Sequence, residues 1–218
     1  RPTEIFNMFK LKQQWVSPEL KPILESAGLL DIESVSKREF DWFEAPNRRR
    51  GGWSGVSKIV LNPDAPEKEK KAVFLKIQQN HFYIAPNTYF HKRLTFEREF
   101  EAMQALKPHS EAIPNIVMFA KWQENGNQGS ILVTEALDDW IHLGPWLLGE
   151  LDQPAPDKPA LHRALDAIAK TAREINQAGW IHMCFSAKHI FVKEQLDSIF
   201  AVRVVDLEKT RKRIGLSR

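Results

Sequence analysis

At 218 residues, with 43% hydrophobic and 27% charged side chains, the chain has room for one substantial core or two small lobes, and wholesale disorder is excluded. A formal charge of +3 does not mark a nucleic-acid binder, and no nucleic-acid partner is expected. No stretch approaches the roughly 18 uninterrupted apolar residues of a membrane span, and the single cysteine excludes an internal disulfide, as expected of a cytoplasmic protein.

In chain order, the first forty residues read as irregular or helical lead-in. The opening RPTEIFNMFK lacks the apolar core of a signal peptide, and SPELKPILESAGLL reads as a short helix ended by Gly28. Three strands are predicted next, FDWFEA, SGVSKIVLN and KAVFLKIQ, with the charged, proline-containing NPDAPEKEKK as the turn between the last two. A helix follows at TFEREFEAMQAL, stopping near Pro108. IPNIVMFAKWQ and GSILVTEAL read as a pair of strands joined by the turn ENGNQG. The connector DQPAPDKP leads into the strongest helix, ALHRALDAIAKTAREINQAG. Its expected apolar face is Leu161, Leu165, Ile168, Ala172 and Ile175, and Gly179 stands where a C-terminal cap belongs. IFV (190–192) and IFAVRVV (199–205) close the chain as two strands. The order is α+β, with a break near Glu135–Trp140.

Four constellations carry chemistry. RRRGGWSGVSKIVL offers Gly52 and Gly55 before a strand, and glycines let backbone N–H groups approach phosphate oxygens. Turns between strands are glycine-rich in any case, and Arg50 leaves a three-glycine pattern incomplete. Lys76 lies inside the apolar AVFLKI, so it either faces out on an edge strand or needs a carboxylate, because a buried unpaired ammonium is costly. The next helix supplies one. Phe96, Phe100, Met103 and Leu106 define its apolar face, and at 100° per residue Glu99 lies roughly 45° from the centre of that face, Glu97 and Glu101 beyond about 110°. Asp206, at the end of FAVRVVD, is either a turn cap or a carboxylate placed for a cation between phosphates. Finally, WIHMCFSAKHIFV has the cadence of a phosphotransferase catalytic loop: an apolar lead-in, His182, a polar run to His189, then a strand. The runs Arg48–Arg50, Lys68–Lys71 and Lys209–Arg213 read as solvated faces that also suit an anionic partner.

Taken together, GGWSGVSKI, VFLKI, REFEAMQAL, LVTEAL, IHMCFSAKHIFV and VVDLEKTR, from about Gly51 to Arg211, resemble the lipopolysaccharide kinase family, its InaA branch in particular. The resemblance implies a two-lobed protein-kinase-like fold: a lead-in and β-rich nucleotide lobe over residues 1–137, and a mainly helical catalytic lobe over 138–218 that is open to truncation. It implies ATP with Mg²⁺, and a sugar hydroxyl of the lipopolysaccharide core as acceptor at the inner membrane face. Gly52, Ser54 and Gly55 would cover the phosphates, and Lys76 with Glu99 would orient them. TEAL (134–137) would be the hinge, with Glu135 and Leu137 meeting adenine. Asp206 would hold the metal, with His189 standing where most kinases keep an Asn. Trp140 and Trp146, just past the hinge, are read either as core or as a stacking floor for a sugar.

The catalytic loop departs from the pattern. Met183 replaces the usual Arg, and Cys184 replaces the aspartate that accepts the acceptor's proton. Either phosphoryl transfer survives at reduced rate, carried by positioning and electrostatics with Lys188 near a thiol whose pKa it could lower, or the chain is a nucleotide-binding pseudokinase, a regulatory or stress-response module. A kinase acting on another, soluble hydroxyl acceptor shares all these features.

Overall fold

Four strands with buried apolar residues, an exposed edge strand and a three-residue strand assemble a six-stranded antiparallel sheet, the frame of the first of two units. The computed structural model describes residues 8–49, 51–84 and 91–213. The first unit takes the chain up to Phe100 together with Asn115–Ala136; the second takes Glu101–Pro114 together with everything from Leu137. The boundary near the hinge falls after Ala136, but the excursion 101–114 goes with the second unit, which a linear division at 137 does not anticipate. Arg50, the first seven residues of the opening segment and the basic close beyond Arg213 lie outside the described residues.

In the first unit the elements run β1 (Lys10–Val16), α1 (Lys21–Ser26), α2 (Ile32–Ser36), β2 (Asn47–Arg49), β3 (Gly52–Val60), β4 (Ala72–Gln79), β5 (Phe82–Tyr83), β6 (Arg93–Leu94), α3 (Thr95–Leu106, continuing into the second unit), β7 (Ile116–Glu124) and β8 (Asn127–Glu135). The sheet order is β1-β7-β8-β4-β3-β2. One face carries Val73, Leu75, Ile77, Ile131, Val133 and Met118, packed with Leu24, Leu29, Ile32 and Val35 of the lead-in into one core. The other face carries the cross-strand row Val56, Lys76, Leu132 and Phe119. There Phe100 of α3 stacks on Phe119 with ring centroids 4.2 Å apart. Asn125 (φ 54°) and Gly126 (φ 78°) form the two-residue β7–β8 turn, where positive φ at both positions favours this pair of residues.

Two expectations need correction here. The lead-in contains a strand, β1, which runs along β7 with mostly exposed side chains; an edge strand exposed on both faces shows no hydrophobic alternation for sequence reading to find. FDWFEA is not a strand. Its backbone meets β3 through the Trp42–Ser57 bridge, the Phe43 N–H donated to the Val56 carbonyl at 2.8 Å and the Ser57 hydroxyl donated to the Asp41 carbonyl at 2.7 Å, without a continuous ladder. Pro46, with no N–H to give, follows before the chain rejoins the ladder as β2.

The second unit contains β9 (Ile141–His142), α4 (Leu143–Leu148), α5 (Lys158–Gln177), β10 (Trp180–Ile181), β11 (Ile190–Glu194), β12 (Phe200–Val204) and β13 (Arg211–Lys212). Asp157 caps α5 by accepting the Ala160 N–H at 2.7 Å, and Gly179 (φ 81°) follows its last turn. The buried face of α5 is Ala164, Ile168, Thr171 and Ile175, while Leu165 is 47% exposed. Ile168 and Ile175 of the expected face are buried, but the face is turned so that Ala164 and Thr171, against β12 and β10, take the places expected of Leu161, Leu165 and Ala172. Trp146 is likewise core, 6% exposed, tilted against Phe200 and donating its indole N–H to the Pro154 carbonyl.

A Cβ at Gly55 would lie 2.4 Å from the Trp42 ring. Gly55→Ala is therefore expected to destabilise the first unit by about 1–3 kcal/mol, read as a lowered urea midpoint with unchanged slope.

Candidate functional site

Alternation along β4 puts Val73, Leu75 and Ile77 into the core and turns Lys76 to the opposite face, toward α3. There its ammonium lies 2.7 Å and 3.0 Å from the two carboxylate oxygens of Glu99. Side-chain exposure is 19% for Lys76 and 3% for Glu99, and the Phe96 ring centroid is 5.8 Å from the ammonium. A pair this buried is held by its geometry, and removing one partner strands the other charge at a cost of about 3–5 kcal/mol. The helical angle thus singled out the right acid. Glu97 is also partly buried, contrary to its angle, because Arg93 at 3.1 Å and Lys121 at 2.5 Å hold it. Burial opposes its charge, but these hydrogen bonds outweigh it and keep its carboxyl below the usual range.

The glycine stretch has packing reasons of its own. A Cβ at Gly52 would meet the Asn80 carbonyl at 2.3 Å, and Gly55 lies against Trp42, while Ser54 sits in the ladder between Asn47 and Gln78. At the end of β8, the Glu135 carboxylate accepts from the Asn115 backbone N–H (3.0 Å) and side-chain amide (2.9 Å). The Glu135 N–H goes to the Asn115 carbonyl and the Ala136 N–H to the Ala72 carbonyl. Leu137 is buried, and its carbonyl accepts from the Trp140 N–H. Asn115, which sequence reading passed over, is thus what holds Glu135.

In the second unit the loop 182–189 is tied both to itself and to the residues after β12. His182, 7% exposed, accepts the Cys184 N–H at Nδ1 (3.1 Å) and donates Nε2–H to the Val205 carbonyl (3.0 Å). These partners assign the neutral Nε2–H tautomer. Burial pushes its pKa below the ordinary value, which the Val205 carbonyl and Asp206 only partly oppose. The Val205 N–H returns to the His189 carbonyl. His189 donates Nδ1–H to the Cys184 carbonyl at 2.9 Å, which turns Nε2 toward the Asp206 Oδ2, 3.4 Å away. Asp206 itself sits at φ 61°, ψ 59°, a left-handed conformation costing roughly 1–2 kcal/mol for a non-glycine residue, and such strain clusters at functional sites.

Cys184 is half-buried, and its thiol pKa is pushed up by burial first, then by the charge and hydrogen bond of Asp206. The cation opposing that rise is Lys209; the Lys188 side chain is exposed, and its carbonyl is held by His142 Nε2 at 2.9 Å. Trp140 has the Arg203 guanidinium 4.7 Å above its ring, so with Trp146 in the core the two do not form a stacking floor. Among the described residues no group of three or more His, Cys, Asp or Glu is arranged around a common metal position, and no helix is long and apolar enough to cross a membrane.

A strand lysine paired to a helix glutamate is an arrangement that protein kinases use. The model of the Lipopolysaccharide kinase (Kdo/WaaP) family matches residues 33–218, and the chain belongs to that family. It is 28% identical to Protein InaA of Escherichia coli (strain K12) over 176 residues, 81% of this chain and 76% of that protein. Its fold is similar to the solved structure of WaaP in complex with acyl carrier protein, with a TM-score of 0.60 at 18% identity, covering 93% of this chain and 73% of that one. The fold is therefore protein-kinase-like.

Because folded His182 resists protonation, the unfolded chain binds more protons as pH falls below about 6.5. The stabilisation is fully present above that pH and is lost below it; His81, whose pKa is lowered by burial and then by Arg49, acts with the same sign. Urea unfolding at pH 7.5 and 5.5 should show lower stability at 5.5, with a smaller drop in His182→Asn.

Proposed function

We propose that this chain transfers the γ-phosphoryl group of ATP to a hydroxyl of a lipopolysaccharide inner-core sugar, working at the cytoplasmic face of the inner membrane. The Lys76–Glu99 pair carries the reading: an ammonium fixed from below by a buried carboxylate keeps a known position from which to orient phosphate oxygens. His189 Nε2 and an Asp206 oxygen, 3.4 Å apart, fit a hard divalent cation that takes one or two protein ligands and completes its shell with water and phosphate. Mg²⁺ held there would supply neutralisation of the phosphate charge. The backbone of β3 beginning at Gly52, with Ser54 and Gly55, would cover the phosphates, and Glu135 to Leu137 would meet the base.

In the transfer, the acceptor oxygen forms its bond to the γ-phosphorus as the bond to the β–γ bridging oxygen breaks, and ADP leaves. The hydroxyl proton is not taken by Cys184, since a thiol held protonated beside Asp206 is no base near neutrality. The proton leaves late, to solvent or to the transferred phosphoryl oxygens, as a loose transition state allows. His182 works by position: it fixes the Cys184 backbone to Val205, and so the loop to Asp206. The family name favours a lipopolysaccharide sugar over a soluble hydroxyl acceptor.

One consideration favours a second reading, a nucleotide-binding pseudokinase: where the family's pattern would put a base, the Cys184 thiol stands, its pKa raised by burial and by Asp206, to which it donates a hydrogen bond. Transfer of labelled phosphate from ATP to purified lipopolysaccharide core separates the two. The kinase reading expects slow transfer by the parent, none by Asp206→Ala, and about 10²–10⁴-fold faster transfer by Cys184→Asp. Transfer by Cys184→Asp alone establishes the pseudokinase; transfer by none contradicts the proposed acceptor.

A further inference from the structure

Gln78 stands two residues after Lys76 on β4, on the same face of the sheet and about 6.6 Å along the strand. It is fully buried, beside the fully buried Ser130 across the strand pair and the buried Thr95 that opens α3. A buried amide costs stability unless its hydrogen bonds are made, whereas a leucine there would need none. The neighbours decide the orientation of this one. With its oxygen toward the donors, it accepts from the Ser130 hydroxyl (2.7 Å) and from the backbone N–H groups of Thr95 (3.2 Å) and Phe96 (3.0 Å), while its nitrogen donates to Thr95 Oγ1 at 2.6 Å. Thr95 Oγ1 also meets His81 Nδ1 at 3.1 Å, and the Thr95 N–H is shared with the His81 carbonyl at 3.2 Å.

The first N–H groups of a helix have no partner within it. The residue before α3 is Leu94, whose side chain cannot accept a hydrogen bond, so the cap comes from the strand instead. Spacing then ties this cap to the ion pair. Thr95 and Glu99 are four residues apart on α3, neighbours on one helix face separated by about 6 Å of rise. Gln78 and Lys76 are separated by nearly the same length of strand. The Gln78–Thr95 and Lys76–Glu99 contacts are thus two rungs between β4 and α3, equally spaced on both elements. Turning α3 by one residue, about 100°, would break both rungs at once.

We propose that Gln78 is a positioning residue for nucleotide binding: by capping α3 it fixes the turn of that helix, which holds Glu99 and, through it, the Lys76 ammonium where phosphate oxygens are met. The inference rests on the nucleotide reading above. Gln78 touches no nucleotide in this scheme and acts only through Glu99. The ion pair alone leaves the helix some slack, because the flexible four-carbon stem of a lysine can keep its contact while the helix turns or slides. The Gln78 oxygen takes two backbone N–H groups of the first turn, so it grips the helix itself and removes that slack.

The test is calorimetric titration with ATP and Mg²⁺ of the parent, Gln78→Met, Glu99→Gln and the double variant. Methionine keeps the length of glutamine without its polar end, and urea unfolding checks each fold. The expected result is ATP affinity lowered about tenfold by Gln78→Met in the parent, but by about twofold or less in the Glu99→Gln background, since residues that act through one contact are not additive. Affinity equal to the parent's in Gln78→Met overturns the inference. So does a loss by the same factor in both backgrounds, which would make Gln78 a general support of the fold. If Gln78→Met does not fold, Thr95→Val and Thr95→Ser decide. A loss in the valine variant that the serine hydroxyl restores supports the inference, and equal affinity of the two overturns it. A parent that binds no ATP defeats the nucleotide reading, and this inference with it.

Discussion

A lysine in an otherwise apolar strand is an energetic liability until something compensates it, and in this chain Glu99 does so. Much of the first unit follows from that pair. The strand must present one residue in two to α3, the helix must turn Glu99 inward among Phe96 and Phe100, and the sheet must hold its register so that Val56, Lys76, Leu132 and Phe119 share a row. Replacing the pair by apolar residues of similar volume would often be neutral or stabilising. Its presence is therefore better explained by a fixed cation than by stability.

The second unit solves a related problem with backbone. The loop 182–189 has few buried side chains to hold it, and His182 does the holding through both ring nitrogens at once. The tautomer this requires is neutral, so the loop is secured by a group that burial also keeps neutral. The tie ends at Asp206, whose left-handed backbone is the strained point of the lacing, and His189 reaches the same carboxylate from the loop side. Cys184 fits this lacing as a small neutral donor. It explains how the loop keeps its shape without an aspartate, and equally why the thiol is not poised to accept a proton.

Legibility in the sequence tracked periodicity and side-chain chemistry. The Lys76–Glu99 pair was readable because a charge in an apolar strand needs a partner and the helical angle points to one acid, and the β7–β8 turn because Asn-Gly has one favoured geometry. The edge strand β1 was not readable, since exposure on both faces erases alternation. The α5 stripe was half legible: Ile168 and Ile175 were expected, while the small Ala164 and Thr171 that complete it carry little hydrophobic signal. FDWFEA looked like a strand since Trp and Phe favour strands, but Trp42 is fixed by a long-range fit to Gly55 that no local pattern displays. The Asn115–Glu135 clamp is invisible for the same reason: the partners lie 20 residues apart.

The central claim is that the buried pair exists to bind nucleotide phosphate. It is tested most directly by the stabilisation that saturating ATP with Mg²⁺ gives to the parent and to Glu99→Gln, measured as the change in unfolding free energy in urea. At about 100 times its dissociation constant, a ligand that binds only the folded state adds roughly 2.7 kcal/mol. The account predicts a gain of that order for the parent and a clearly smaller one for Glu99→Gln, whose lysine has lost its anchor. Equal gains in both proteins, or none in the parent, would contradict it.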